Sequence, residues 1–324
     1  MCSKFFIFLV AFVFLIKSNA QTCCSGGIPL SNNLGLPIYE KGTIQVGLSY
    51  DYNNLNTLNE GTSKLNDNSR LRVTHSILIN SSYSITNNFS AEGLFTWVNQ
   101  RRIITQFDNK NLDNTSGVGD AVILMKYNFN KVLGPYSSVL LGLGAKLPLG
   151  SSTEKNKQGI VLNADLQPGS KAWDIIYWLS SSKSFDFRPS FIFSTRFTYR
   201  ETGTNNSYLE NASYKFGNEF QVFLAFSDQF LLFKSIVNPS VTFKYRNAIK
   251  DKIDGFDLDN TGGDWVFIIP TFSVAISPNF NFLIKAELPL YSNVDGTQLT
   301  PTYRLTSGLL FKIKPRPKLG RINI

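Results

Sequence analysis

The stretch GVGDAVILMKYNFNKVLGPYSSVLLGLGAKLPLG, Gly117–Gly150, separates into two faces when alternate residues are taken. In its first half Ala121, Ile123, Met125, Tyr127 and Phe129 fall on one side, with Asp120, Lys126 and Asn128 on the other. After a turn around Lys131–Pro135, Val139, Leu141, Leu143, Ala145 and Leu147 alternate with Ser138, Gly142, Gly144 and Lys146. A strand sends successive side chains to opposite faces, so this is a hairpin with one apolar and one polar side. Strands of soluble proteins usually hold about 5–6 residues. Each arm here is longer, and reaches the roughly 9–11 tilted residues that cross a bilayer.

The unit repeats along the chain. Twelve strands are expected, at Thr43–Tyr52, Arg70–Ile85, Phe89–Ile103, Val118–Asn130, Tyr136–Leu147, Trp173–Phe185, Arg188–Glu201, Ser213–Ser227, Leu231–Arg246, Trp265–Ser277, Phe280–Tyr291 and Thr302–Ile313. In Ser213–Ser227, for example, Tyr214, Phe216, Phe220, Val222 and Leu224 alternate with Lys215, Glu219 and Gln221. In Leu231–Arg246, Val237, Val241, Phe243 and Tyr245 oppose Lys234, Asn238, Ser240, Thr242, Lys244 and Arg246. The connections alternate too. Short turns at Thr86–Asn88, Lys131–Pro135, Asp186–Phe187, Asp228–Phe230 and Pro278–Asn279 lie between long polar loops at Asn53–Ser69, Ile104–Gly117, Pro148–Ala172, Thr202–Ala212, Asn247–Asp264 and Ser292–Pro301. This predicts an all-β chain folded as a transmembrane antiparallel up-and-down β-barrel of about twelve strands, with short periplasmic turns and long extracellular loops. A soluble sandwich explains the period, but neither the strand length nor the regular alternation of loop length.

Composition agrees with this. Aromatics are 14% of 324 residues, 27 Phe and 13 Tyr among them, yet mean hydropathy is only −0.07. A helical membrane protein is far more hydrophobic, whereas a barrel strand gives lipid only half its side chains. Residues 1–20 read as a secretory signal: Lys4, the apolar run Phe5–Ile16, then Ser18-Asn19-Ala20 with small residues placed for cleavage near Ala20. The run is shorter than the ~20 residues of a spanning helix, so the expected location is the bacterial outer membrane. Residues 21–41 form an irregular Gly/Pro/Ser/Asn-rich arm, either a lumenal plug or a loose periplasmic lead-in. The barrel occupies 42–314 and a basic tail 315–324. Phe311 of the last strand is the candidate signal for the barrel-assembly machinery. Cys2 leaves with the signal, and the adjacent Cys23 and Cys24 have neither disulfide-framework nor metal-site spacing. The formal charge is +9, or +7 once Lys4 and Lys17 are removed, and much of it lies on the polar strand faces. Nothing in the pattern points to nucleic acid.

Little in the chain suggests enzymatic chemistry. The single histidine, His75, falls on the outward face with Val73, Ile77 and Ile79, and is read as structural. There is no HExxH, no CxxC and no phosphate-binding glycine loop after a strand, so no catalytic residue, metal or cofactor is expected. The polar face carries more information. Glu92, Asp120, Lys126, Lys146, Asp174, Arg196, Arg200, Glu219, Lys244, Arg246, Lys285, Glu287 and Arg304 are all expected to line the lumen. Either they pair across the interior and fill it, or they make a basic-leaning path for anionic or polar-headed solutes. Twelve strands lie between packed barrels of about 8 and open porins of about 16–18, so the lumen should be narrow. Pro239, Pro270 and Pro289 sit inside three consecutive strands. Proline removes a ladder hydrogen bond, so these mark scattered bulges or a weakened wall patch through which an apolar solute leaves sideways.

The pieces GVGDAVILMKY, LGLGAKLPLGSS and ADLQPGSKAWD (Ala164–Asp174) resemble the MetA-pathway phenol-degradation family of outer-membrane barrels, which is loosely related to FadL-type channels. The likeness covers Gly42–Ile313, and the arm QTCCSGG is similar to those of secreted Bacteroidetes barrels. The resemblance implies passive uptake of small apolar or aromatic compounds through the lipid bilayer of the outer membrane. It transfers no site residue. The alternative is a non-conducting surface barrel that acts as adhesin or scaffold through its long loops.

Overall fold

The computed structural model describes residues 34–107 and 109–315. The signal segment with Ala20, the cysteines Cys23 and Cys24, and the tail from residue 316 lie outside the described residues. Eleven extended runs build one antiparallel wall: β1 (Ile44–Gly61), β2 (Arg70–Ser84), β3 (Phe89–Gln106), β4 (Ala121–Asn130), β5 (Ser137–Leu147), β6 (Asp174–Phe185), β7 (Arg188–Thr202), β8 (Glu219–Ser227), β9 (Ser235–Ala248), β10 (Gly263–Ser277) and β11 (Phe280–Ile313). Each pairs with its neighbours in sequence, and β11 returns to β1, from Ile44↔Ile313 to Gly61↔Val294, so the sheet closes on itself. Closure is required: in lipid an unpaired strand edge has no water to bond.

The last run supplies two staves. Its first part pairs with β10 from Ser277↔Phe280 to Gly263↔Val294, and its second part pairs with β1. Lys312 N–H donates to the Asn279 carbonyl at 2.8 Å, which brings the two ends of β11 together. The fold-back is at Asp295–Gly296, where Gly296 has φ +59° and an added Cβ would stand 2.3 Å from Asn260 Oδ1. Eleven runs therefore give twelve staves, an even number with both ends of the wall at the short turns.

Three expected loops differ from this. Ser292–Pro301 is a tight hairpin within β11, β1 continues through Asn53 to Gly61, and Asn109–Val118 pairs along β3 from Gln106↔Asn109 to Trp97↔Val118. These segments lie beyond the lipid-covered band, so their outer face is polar, while Leu55, Leu58, Val294 and Thr300 turn inward and are buried. The apolar period vanishes there while the hydrogen-bond ladder continues. Two expected strands are shorter than the pattern suggests. Ser213–Ser227 breaks at Gly217, whose position against the Ile249 carbonyl leaves no space for a Cβ, and wall pairing begins only at Glu219. Lys215, expected inward, is in Ala212–Lys215, part of a small loop sheet with Thr204–Tyr208, Lys252–Ile253 and Phe256–Asp257. Tyr214 and Phe216, expected to face lipid, are buried there against Ala164 and Tyr208. Leu231–Arg246 likewise joins the wall only at Ser235, and Lys234, expected inward, sits exposed at a turn.

The inner face is polar but not uniformly so. Leu78, Leu94, Val122, Leu124, Ile176 and Trp178 cluster inside around Leu34, and Trp265, Phe267 and Ile269 form a second buried patch with Val294 and Ala248. Placing a left-handed backbone on a residue with a Cβ costs roughly 1–2 kcal/mol. Gly296→Ala is therefore expected to lower stability by about that amount, more if Asn260 cannot yield, read as a shift in urea midpoint during unfolding from vesicles.

Candidate functional site: the ion-paired lumen

The thirteen charges expected to line the lumen are all withdrawn from solvent. Glu92, Asp120, Lys126, Lys146, Asp174, Arg200, Glu219, Lys244 and Arg246 are buried, and Arg196, Lys285, Glu287 and Arg304 are half-buried. Buried charges persist only when matched, and matching is what the wall provides. At the loop-side ends of consecutive strands a chain of pairs runs around the interior. Lys146 Nζ is 3.4 Å from Asp120 and 2.8 Å from Asp174. Arg200 lies 3.9 Å from Asp174 and 3.1 Å from Glu219, which Arg246 meets at 2.9 Å. Lower in the barrel, Lys126 meets Glu92 at 2.5 Å with both side chains 0% exposed, and Lys244 meets Glu287 at 3.0 Å. Arg304 meets Asp51 at 2.8 Å. Asp51 escaped the sequence reading, although its alternation with Tyr50 and Tyr52 marks it as inward. Aromatic faces take part as well: Arg196 stands 3.9 Å over the Phe223 ring, Arg246 4.7 Å over Trp265 and Lys244 4.8 Å over Phe267.

Two irregular segments enter this interior. From the short-turn side the chain preceding Lys41 runs inward. Tyr39 N–H donates to Ser84 Oγ at 3.2 Å, and Gln45 Nε2 to the Pro37 carbonyl at 2.7 Å. The amides of Gly35 and Leu36 donate to the Glu92 carboxylate at 3.0 Å each. Lys126 Nζ donates to the Leu36 carbonyl, and Arg196 Nη1 to that of Leu34 at 2.9 Å. Leu34–Leu36 thus lies within the lumen, with Gly35 against Trp178, where a Cβ would stand 2.7 Å from the ring, while Pro37 and Tyr39 are exposed.

From the other side the 148–172 loop folds inward, and the three sequence pieces behind the family resemblance meet there. Asp120 of GVGD accepts from Gly150 N at 3.1 Å and from Ser170 N and Oγ at 3.0 and 2.7 Å. Lys146 of AKLPLG donates to Ser170 Oγ at 2.5 Å and pairs with Asp174 of KAWD. Gly150 and Gly169 lie in backbone contact, a Cβ on Gly169 standing 2.5 Å from Gly150 Cα. Deeper in the loop, the Leu166 carbonyl accepts from Gln100 at 3.3 Å and Thr115 at 2.6 Å, and Asp165 pairs with Arg72 at 2.7 Å. Motifs that look like turns in the sequence are therefore one knot that holds the loop in the mouth.

Two cavities flank these segments. A mouth cavity of about 500 Å³ is lined by Arg70, Arg72, Arg102, Asp165, Tyr208, Tyr214 and Asp251, among others. A lumen cavity of about 340 Å³ is lined by Gly35, Trp178, Arg196, Phe223, Ile269, Leu283 and Lys285, with several Ser and Thr and, among the described residues, no carboxylate. On the outer wall His75 Nδ1 is 2.6 Å from Tyr50 Oη, in contact with the Tyr52 ring. The prolines fall as follows. Pro239 pairs with Phe272 in an unbroken register. The β10–β11 ladder leaves Ile269 and Pro270 without partners, and its register shifts beside Pro289.

The sequence matches no protein-family model and no curated protein. The fold is an outer-membrane-type β-barrel, and solved structures share it. The COG4313 outer membrane channel from Pseudomonas putida F1 superposes with a TM-score of 0.67 at 12% identity, covering 88% of this chain and 100% of that one. The NanC porin gives a TM-score of 0.45 at 9% identity, over 83% of this chain and 100% of its own.

Two expectations follow from the geometry. Removing one partner of a buried charge pair costs about 3–5 kcal/mol. Asp120→Ala strips Lys146 of a partner and three loop donors of their acceptor, so it should destabilise by that order and make a cysteine at Gln167 reactive to a water-soluble maleimide. In the loop sheet, Asp251 accepts from Tyr214 Oη at 2.5 Å and Gly217 N at 2.7 Å. Burial, with repulsion from Asp165, pushes its carboxyl up to about 7 despite those bonds. The folded loops then hold a proton that the unfolded chain releases near its ordinary value of about 3.9. Loop stability is full below that value and falls as pH rises toward 7. The protection factor of the Gly217 amide, its exchange corrected for the intrinsic pH dependence, should fall across this window in the native protein and stay flat in Asp251→Asn.

Proposed function

We propose that the protein is a passive outer-membrane channel for small organic solutes with an aromatic or apolar body and an anionic group. The lumen cavity carries this reading. It combines the cations Arg196 and Lys285 with the apolar surfaces of Trp178, Phe223, Ile269 and Leu283, and no carboxylate lines it among the described residues. Such a wall attracts an anionic head electrostatically while its rings and aliphatic groups take the body. The family resemblance of the sequence supports the aromatic part, and the channel fold shared with the Pseudomonas protein supports passive conduction. For an apolar solute, a sideways exit is proposed where the β10–β11 ladder lapses at Pro270 and shifts beside Pro289.

Reconstitution into planar bilayers tests the reading. Discrete openings with anion preference are expected, with benzoate reducing chloride current as it occupies the cavity. Arg196→Gln with Lys285→Gln should abolish both the preference and the benzoate block while leaving a folded, conducting barrel. A folded barrel that neither conducts nor takes up benzoate into vesicles would instead be a scaffold working through its loops. Replacing Pro239, Pro270 and Pro289 by Val should slow uptake of an uncharged aromatic probe; unchanged uptake removes the sideways exit.

A further inference from the structure

The short-turn rim of the barrel is of two kinds. Between β2 and β3 and between β10 and β11 the turns are polar and exposed, Thr86–Asn88 and Pro278–Asn279. The three turns joining β4 to β5, β6 to β7 and β8 to β9 instead present large apolar side chains beyond the wall. Phe187 is 80% exposed, Leu231 76% and Phe233 92%, with Val132, Leu133 and Tyr136 also exposed. These turns touch one another. Ser184 N–H donates to the Tyr136 carbonyl at 3.1 Å, Arg188 pairs with Asp228 at 2.6 Å, and its guanidinium lies 5.1 Å from the Phe230 ring. Phe187 stacks into a run of rings, with Phe185 at 5.4 Å and Phe191 at 6.5 Å, and Phe191 continues to Phe226 at 6.4 Å on the lipid-facing wall. The patch is therefore one surface, continuous with the surface that lipid covers.

Its tip is built against backbone preference. Leu232 and Ser235 close a two-residue turn in which Phe233 has φ +47° and Lys234 φ +64°. Positive φ at both central residues defines the turn type that Asn-Gly fills at least cost. A bulky residue at positive φ is a local outlier, and such outliers are worth relating to what the side chain does. Here the side chain is the most exposed apolar group of the patch. The three turns and their flanks carry Lys131, Lys183, Arg188 and Lys234 against Asp186 and Asp228, four cations to two carboxylates. Aromatic and aliphatic tips ringed by Lys and Arg are the composition of membrane-interface anchors.

We propose that these three turns form a foot that inserts into the headgroup region of the periplasmic leaflet and binds anionic phospholipid there. The polar turns at 86–88 and 278–279 remain in the aqueous periplasm, so the barrel is anchored on one side of its lower rim. The inference is independent of what passes through the lumen.

Single nitroxide labels at Phe187, Leu231 and Phe233, with Asn87 and Asn279 as references, test this in the full-length protein in phosphatidylethanolamine vesicles with and without phosphatidylglycerol. The expected ratio of collisions with oxygen to collisions with a water-soluble nickel chelate is above unity at the three foot positions and below unity at the two references. Adding phosphatidylglycerol should raise the foot ratios further, and Lys131→Gln with Lys234→Gln should remove that increment while leaving the ratios above unity. Nickel access at Phe233 equal to that at Asn279 overturns the proposal. So does protection that appears only in native outer membranes, which would mark a periplasmic protein as the occupant, or protection that scales with the protein-to-lipid ratio, which would mark a second copy.

Discussion

A main-chain amide inside a bilayer has only other protein groups to bond, and every level of this structure follows from that constraint. It requires closure, and closure by nearest neighbours gives the ring from β1 to the doubled β11. A closed wall in lipid must turn its apolar side outward, so its polar alternates are driven into a small interior. Charges confined there cannot rely on bulk water and must find one another. The interior of this barrel is accordingly a set of ion pairs joined into chains, with water-filled space limited to what the pairs leave over.

Pairing among side chains does not use all of the interior hydrogen-bonding capacity, and the remainder explains why two irregular segments lie inside. Glu92 has two carboxylate oxygens and one lysine partner; the amides of Gly35 and Leu36 fill the other positions. Asp120 stands 3.4 Å from Lys146 and takes the amides of Gly150 and Ser170. In both places a wall carboxylate, held by a lysine on a neighbouring strand, collects main-chain N–H groups from a segment without a ladder of its own. Such groups would otherwise be buried and unsatisfied. The arm and the loop are thus complements of the wall charges. The interior apolar cluster around Leu34 and Trp178 is the packing that accompanies the arm.

Much of this was legible in the residues and some was not, for identifiable reasons. The wall was legible because one face meets lipid, which leaves an unbroken period of two across Ala121–Asn130 and Ser137–Leu147. Above the bilayer that signal stops. Asn109–Val118 is as regular a strand as any, yet both its faces meet water and its sequence looks like a loop. The parity of Trp265–Ile269 could not be read, because an apolar residue suits lipid outside and the apolar cluster inside equally well. The charge belt was present in plain form. Asp120, Lys146, Asp174, Arg200, Glu219 and Arg246 occupy the loop-side ends of six consecutive staves with strictly alternating sign. Parity alone listed them as inward residues. Strand direction, which places each at one level of the barrel, joins them into a belt around half of the wall.

That alternation also has an electrostatic consequence. A belt whose neighbouring charges cancel presents little net field, so at the mouth it acts as a fastening for the loop. Below it, Arg196 and Lys285 share a cavity with Phe223 and Trp178. The arm reaches this cavity: Gly35 lines it, and the Leu34 carbonyl accepts from Arg196. That carbonyl is neutral, so its bond to the guanidinium is weaker than one to a carboxylate. The guanidinium, which also stands 3.9 Å over the Phe223 ring, ties the arm to the inner wall.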